Sequence, residues 1–396
     1  MNSYDVLIIG AGPAGSRVAY KMAESGYKVA VLDKHQNGVG KVCCTGIIGK
    51  ECFELFDIDR GSVLREAKSA RLFAPSGEFL QVSKDEVQAY IVDRAAFDRS
   101  LAERAKASGA VYFLNSYVSD ISVAHDGVEV RIDGMVFGAK AAVIANGFAS
   151  MLPHKLGLGR IKDFMVGAQA EVEMYGVDEV EVYFGRKIAP QFFAWVVPVA
   201  QGRARVGLFA PERPGAYLRE FIARLASEGK VSDAGFKISY GGIPLRPLSK
   251  TYGDRVLVVG DAAGQVKPTT GGGIYYGLLC ADIASEALHQ AFLTNDFSRR
   301  KLALYEKLWQ KKLGRELKID YFARRLYNRL SDKQIDKIFN IVRDNKIHET
   351  MLNSSHMSFD WHGEMVLDGL KHLAPWWHLF GKYIPAYIVR SLRGKS

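Results

Sequence analysis

Gly10, Gly12 and Gly15 fall where a short apolar run, "VLII", passes into a helically periodic stretch. In that setting the first glycine allows a tight bend and the second lets backbone approach a pyrophosphate. The third permits close packing of helix on strand. N–H groups at the start of the helix then face the phosphates. Asp33 closes the next apolar run, "YKVAVLD", at about 20 residues' distance, where a carboxylate would hydrogen-bond ribose hydroxyls. The pattern predicts the adenine half of a dinucleotide and leaves FAD and NAD both open.

A second cluster lies far downstream. "DRVLVVGDAAG" reads as another buried strand, ending at Gly260-Asp261, and "PTTGGGIYYGLL" opens a helix behind Pro268. A carboxylate at Asp261 suits the hydroxyls of a ribityl chain. Gly271, Gly272 and Gly273 would bring backbone N–H groups against a bulky planar ligand with no Cβ in the way, at the positive end of a helix. An isoalloxazine, with negative charge developing near N1, is such a ligand. NAD alone would need no second glycine site, so the two clusters together predict FAD.

The elements that must hold these residues follow from the pattern. The N-terminal stretch is strand, turn, helix, strand, with Val18, Ala19, Met22 and Ala23 as the helix's apolar face and Gly26 at its end. "VYFGRKIAPQFFAWVVPVAQGRARVGLFA" predicts a hairpin turning at "AQGR", and "AKSARLFAPSGEFLQVS" a hairpin around "PSG". Alternate residues of a strand share a face, so Phe193, Trp195 and Val197 would form one apolar wall suited to a hydrocarbon chain. Arg94, opening the helix 95–108, could brace a pyrophosphate bidentately. From Arg299 to Leu330 the spacing of Leu302, Tyr305, Leu308, Trp309, Leu313 and Leu317 suits an amphipathic helix.

The expected fold is therefore α/β. A discontinuous Rossmann-type FAD-binding domain would comprise 1–61, 87–151 and 246–295. An inserted antiparallel β-sheet substrate domain would fill 62–86 and 152–245, with a C-terminal helical region over 296–396.

Composition bounds the function. The 396 residues are 48% hydrophobic and 24% charged, a globular balance. No apolar run approaches the roughly 20 residues of a membrane-spanning helix, and no charged leader precedes the first strand, which predicts a cytoplasmic protein. The net charge of +10 is dispersed and no nucleic-acid motif accompanies it, so it favours an anionic substrate or anionic headgroups. The last segment, "LAPWWHLFGKYIPAYIVRSLRGKS", mixes aromatics with Lys382, Arg390, Arg393 and Lys395. It could make peripheral contact with a membrane surface, interrupted as a helix by Pro385. Four cysteines without zinc spacing predict neither a metal site nor a disulfide framework.

"GAGPAG", "VDRAAFDRSLAERA", "VIANG", "APQFFAWVVP", "GGIPLRP" and "VVGDAAGQVKPTTGGGI" occur in the order found in the geranylgeranyl reductase family. These are flavoproteins built like p-hydroxybenzoate hydroxylase. Roughly the first three quarters of the chain resemble them, the archaeal digeranylgeranylglycerophospholipid reductases in particular, and the helical tail is less diagnostic. The resemblance implies FAD contacts at Ala14, Asp33, Cys43, Cys44, Gly46, Arg94, Val118, Asp261, Gly273 and Ile274, beside Gly10, Gly12, Gly15 and Gly272. "VGKVCCTGII" is similar to the family's K-x-C-G loop through Lys41 and Cys43, with Cys44 in the glycine's place. A one-residue shift would turn Cys44 rather than Cys43 to the ring. A thiol of ordinary pKa, about 8.5, is mostly protonated at neutral pH and can donate a proton.

The family's P-x-x-Y-x-W-x-F-P signature is met at Pro190, Trp195 and Pro198, while Phe193 replaces its tyrosine and Val197 its second aromatic. Tyr275 and Tyr276 are candidates for closing the pocket. The resemblance implies saturation of isoprenoid double bonds in lipids or prenyl diphosphates, with ferredoxin or NADPH as electron donor. Cys43, Phe193, Trp195 and Tyr275 would serve on the substrate side. Three rivals share the flavin fold. An aromatic hydroxylase usually carries Asp-Gly where this chain has Asn146-Gly147, and an electron-transfer flavoprotein to quinone often adds an iron–sulfur module that the cysteine spacing does not offer. The third is a lipid-binding protein with a structural flavin.

Overall fold

The computed structural model describes residues 2–36, 43–132, 135–200, 202–232, 234–354 and 358–375. Lys41 of the cysteine loop, and the terminal segment from 376 with Lys382, Pro385, Arg390, Arg393 and Lys395, lie outside the described residues.

The apolar runs near the N-terminus become parallel strands because both their faces are covered. Asn2–Ile9 lies between Val29–Leu32 and Met135–Ile144, parallel to each. Val111–Phe113 continues the sheet beyond Val29–Leu32, and Val256–Val258 beyond Met135–Ile144, again parallel. Val6, Leu7, Ile8, Val31 and Val143 are fully buried. Three short antiparallel strands complete this sheet of eight. The helices Pro13–Glu24, Arg94–Ala107 and Ile274–Thr294 share one core with these strands. Asp93 starts the second of them, its carboxylate accepting from the Ala95 and Ala96 N–H groups. Arg17 pairs with Asp282 at 2.6 Å and ties the first helix to the third.

The second sheet has seven strands in the order Ser239–Pro244, Phe164–Glu173, Arg203–Ala210, Phe193–Pro198, Val180–Phe184, Ser69–Phe73, Phe79–Ser83. Both hairpins expected from the sequence form within it. Its pairings are antiparallel except that of Ser69–Phe73 with Val180–Phe184. Period-two alternation decides its faces. Ala168, Ala194, Val206 and Leu208 pack against the helix Pro214–Ser227, whereas Phe193, Trp195, Val197 and Phe209 lie on the opposite face, clustered with Ile47 and Ile91. The chain enters this sheet at Ser69, leaves after Ser83, returns at Phe164 and leaves after Pro244. A small third sheet of Ile47–Gly49, Ala89–Val92 and Val63–Ala67 lies at the first passage.

After the Ile274–Thr294 helix, Arg299–Tyr327 is one helix, started by Ser298 accepting from the Lys301 N–H. Leu302, Tyr305, Trp309, Leu313 and Leu317 are buried in the core beside the Ile274–Thr294 helix. The helices Asp332–Asp344, Ile347–Leu352 and Gly363–His372 follow. No helix among the described residues is long and apolar enough to cross a membrane.

Candidate active site

A cavity of about 820 Å³ is walled by both large sheets. At one end stands the N-terminal glycine turn. Gly10 has φ +111°, and a Cβ there would fall 2.4 Å from the Ala145 carbonyl oxygen. At Gly15 it would fall 2.0 Å from the Gly10 carbonyl oxygen. Both glycines are therefore required by the protein's own packing. Gly12 differs, since a Cβ there would meet nothing within 4 Å. It lines the cavity, and the helix starting beside it has no side-chain cap, so the first N–H groups remain for a ligand.

Asp33 receives the Ala11 and His35 backbone N–H groups, each at 2.8 Å. It thus braces the turn and still offers acceptor lone pairs to the cavity it lines. Arg94 pairs with Asp98 at 3.0 Å and lies against the Cys44 sulfur. Burial raises the Asp98 carboxyl, with the Arg94 charge opposing it. Ala14 and Val118 complete this end.

The second glycine cluster forms the middle of the cavity. Gly271 has φ +77°, a left-handed conformation that glycine adopts without strain. A Cβ on Gly273 would lie 2.7 Å from Asp261 Oδ1, so carboxylate and backbone are locked together. Gly273 starts the Ile274–Thr294 helix, again with no side-chain cap. Burial raises the Asp261 carboxyl, against the opposing charge of Arg94. Two uncapped helix N-termini, an open Gly12 and Asp261 between them fit a flavin dinucleotide in donor chemistry.

Past the glycines the lining turns apolar: Ala70, Val180, Val182, Phe193, Trp195 and Phe209. The Trp195 indole lies flat on Gly207, where a Cβ would come within 2.5 Å of it. The cysteine loop is fastened to the same sheet at three successive residues. Cys43 Sγ is 3.5 Å from the Ser239 carbonyl oxygen, Gln169 Nε2 donates to the Cys44 carbonyl at 3.0 Å, and Arg205 Nη1 donates to the Thr45 carbonyl at 2.7 Å. Cys43 therefore sits toward the substrate sheet and Cys44 toward Arg94.

A buried polar corner adjoins the glycines. Lys267 and Asp360 pair at 3.5 Å, each side chain 4% exposed. Thr269 Oγ1 is 3.2 Å from Asp320 Oδ2 and 2.9 Å from His362 Nδ1, and His362 Nε2 is 2.9 Å from the Phe359 carbonyl oxygen. Burial, with the Lys267 charge, pushes His362 down to about 3, so the ring is neutral. A carbonyl only accepts, so Nε2 carries the proton and Nδ1 accepts from Thr269. The single Thr269 proton is then used, and the contact with Asp320 becomes a hydrogen bond only if Asp320 donates. Burial and the neighbouring Glu316 push Asp320 up to about 7, in keeping with a protonated carboxyl.

Residues 5–352 match the family described as lycopene cyclase protein. A digeranylgeranylglycerophospholipid reductase of Methanocaldococcus jannaschii is 34% identical over 85% of this chain and 89% of its own. One from Methanothermobacter thermautotrophicus is 33% identical over 85% and 90%. The chain belongs to the lycopene cyclase and digeranylgeranylglycerophospholipid reductase family.

A family-like crystal structure, a geranylgeranyl bacteriochlorophyll reductase-like protein of Thermoplasma acidophilum, superposes with TM-score 0.83 at 26% identity, covering 100% of this chain and 99% of that one. A halogenase solved in complex with FAD superposes with TM-score 0.69 at 15% identity, covering 99% and 95%, and shows the shared fold alone. The fold class expected from the sequence, a discontinuous Rossmann-type FAD-binding domain with an inserted sheet and C-terminal helices, is the one this reductase-family member has.

Within the family member's cavity, Gly10, Gly12, Ala14, Asp33, Cys43, Cys44, Arg94, Val118, Asp261, Gly272, Gly273 and Ile274 come together, with Phe193, Trp195 and Tyr275. Gly15 and Gly46 stand behind the lining. Gly46 has φ +74°, and a Cβ there would meet Arg205 and the Val92 carbonyl at 2.6 Å, so it shapes the loop. Tyr275 turns its hydroxyl to Glu51, and burial with that carboxylate holds the phenol protonated. Tyr276 is fully buried in the core instead of closing the pocket. Sequence reasoning missed Phe209, Lys267, Asp360 and His362. Phe209 shares the alternation of "RVGLFA" and was within reach; the polar corner is assembled from distant segments with no local signature.

Proposed function

We propose that the protein is an FAD-dependent reductase that saturates double bonds of isoprenoid chains carried by ether lipids or prenyl diphosphates. The observation that carries this reading is the continuity of one cavity, from an open, uncapped phosphate turn through the glycine seat to an aromatic and aliphatic wall. FAD, once reduced, supplies the hydride. Gly12, Ala14 and Arg94 hold the pyrophosphate, Asp33 a ribose and Asp261 the ribityl chain, while Gly272, Gly273 and Ile274 seat the ring. Phe193, Trp195, Val197 and Phe209 orient the hydrocarbon and exclude water. An unactivated alkene offers no carbonyl to take up charge, so orientation in a dry slot carries much of the rate. Cys43, on the substrate side of its loop, supplies the proton to the second carbon.

The match to the lycopene cyclase family favours a second reading, rearrangement of a polyprenyl substrate without net reduction. Mass spectrometry separates the two. The protein with chemically reduced FAD and a digeranylgeranyl lipid should yield products heavier by two hydrogens per bond. Products of unchanged mass would refute the reductase reading.

A further inference from the structure

We propose that Lys267, held by Asp360, is the positioning residue that sets how readily a flavin on the Gly271–Gly273 backbone takes up electrons. The proposal rests on the FAD reading of the cavity and is independent of the isoprenoid substrate.

Lys267 belongs to the turn that ends in the glycines. Its N–H donates to the Gly272 carbonyl at 3.0 Å, and its own carbonyl accepts from the Gly271 N–H at 2.8 Å. The side chain then folds back along the glycine backbone. A Cβ on Gly272 would come 2.9 Å from Lys267 Cε and 3.6 Å from Nζ. The ammonium donates to the Phe359 carbonyl at 3.0 Å and faces Asp360 Oδ1 at 3.5 Å. It also lies over the Phe359 ring, 5.4 Å from its centroid. A full positive charge, almost wholly shielded from solvent, is thus fixed against the seat of the ring. The helix N-terminus at Gly273 adds partial charge of the same sign.

Asp360 moderates that charge from the far side. A Cβ on Gly49 would lie 2.0 Å from Asp360 Oδ2, so the carboxylate packs on the backbone that starts the helix Lys50–Phe56. Lys267 is therefore the partner against Gly272, and Asp360 the partner against Gly49. A cation beside the seat favours a reduced, negatively charged ring, and a neighbouring anion weakens that preference. The two residues should act with opposite sign. Packing alone cannot produce that result, since loss of either packing partner loosens the same corner.

The test uses the FAD-loaded protein and two readouts that need no substrate. One is the affinity for sulfite, which forms an anionic adduct with oxidised flavin; the other is the midpoint potential. At an effective dielectric of about 20, a full charge a few ångströms away changes such an equilibrium by roughly tenfold or more. Lys267→Met should weaken sulfite binding at least tenfold and lower the potential, about 30 mV for each tenfold in a two-electron couple. Asp360→Asn should tighten sulfite binding and raise the potential, and Lys267→Arg should restore most of the wild-type values.

Lys267→Met strands a buried carboxylate, so the double variant Lys267→Met with Asp360→Asn decides if the single one does not fold. It should show the weaker sulfite binding of a site without the cation. Shifts of the same sign in the two single variants, or none in the double, overturn the proposal while leaving the FAD reading intact. Wild-type protein that takes up no FAD overturns both.

Discussion

Replacing Asp320 by Asn should change how the protein's stability depends on pH, and the structure fixes the sign. Asp320 is fully buried and touches Thr269, and burial, with Glu316 beside it, pushes its carboxyl from the ordinary 3.8 up to about 7. Between those values the folded protein holds a proton that the unfolded chain has released. Stability is therefore lost as pH rises through this window, and the loss levels off above about 7. This is the reverse of the usual surface carboxylate. Integrating the linkage between pH 5 and pH 8 gives about 2.5 kcal/mol of differential destabilisation.

Asn keeps the shape and can donate to Thr269, as the protonated acid does, but it does not titrate. Urea unfolding of both proteins, followed by tryptophan fluorescence at pH 5 and pH 8, measures the difference. Wild type should lose about 2.5 kcal/mol more than Asp320→Asn over that interval. Parallel profiles would mean that Asp320 is already ionised at pH 5 and would remove the hydrogen-bond assignment of the Thr269–His362 chain with it.

Gly12→Val should leave the apoprotein within about 1 kcal/mol of wild type, because its Cβ meets no protein atom; flavin absorbance after reconstitution should nevertheless be lost. Arg205→Met removes charged hydrogen bonds to the Thr45 and Val92 carbonyls. It should cost about 2–4 kcal/mol and make the cysteine loop react faster with a thiol reagent, read as labelling rate. Cys43→Ala should keep bound flavin and abolish alkene reduction, whereas Cys44→Ala should keep most turnover; equal effects of the two would show that the loop acts as a unit.

The parts legible in the sequence are those whose causes are local. A strand followed by a glycine turn and an amphipathic helix encodes the phosphate site within one short stretch, and the alternation through Phe193, Trp195 and Val197 encodes a face. The role of Gly46 was not legible, because what demands a glycine there is its left-handed backbone and the Val92 carbonyl pressed against it, with Arg205 arriving from the second sheet. The same holds for the polar corner. Lys267 is read easily as a surface lysine until Asp360 and Phe359 arrive from the far end of the chain. Tyr276 shows the converse error, since a tyrosine beside a glycine cluster suggests a pocket wall, yet helical geometry turns it inward.

The fourfold passage of the chain between its two large sheets has a practical outcome. A single cut cannot release either half as an intact polypeptide, so attempts to express the nucleotide-binding portion alone would need two splices and the rejoining of strand ends. A protease nick at any of these four junctions should leave fragments that remain interleaved and co-elute under native conditions. Variation in the hydrocarbon wall can meanwhile accumulate inside the insertion without altering the order in which the surrounding strands are threaded.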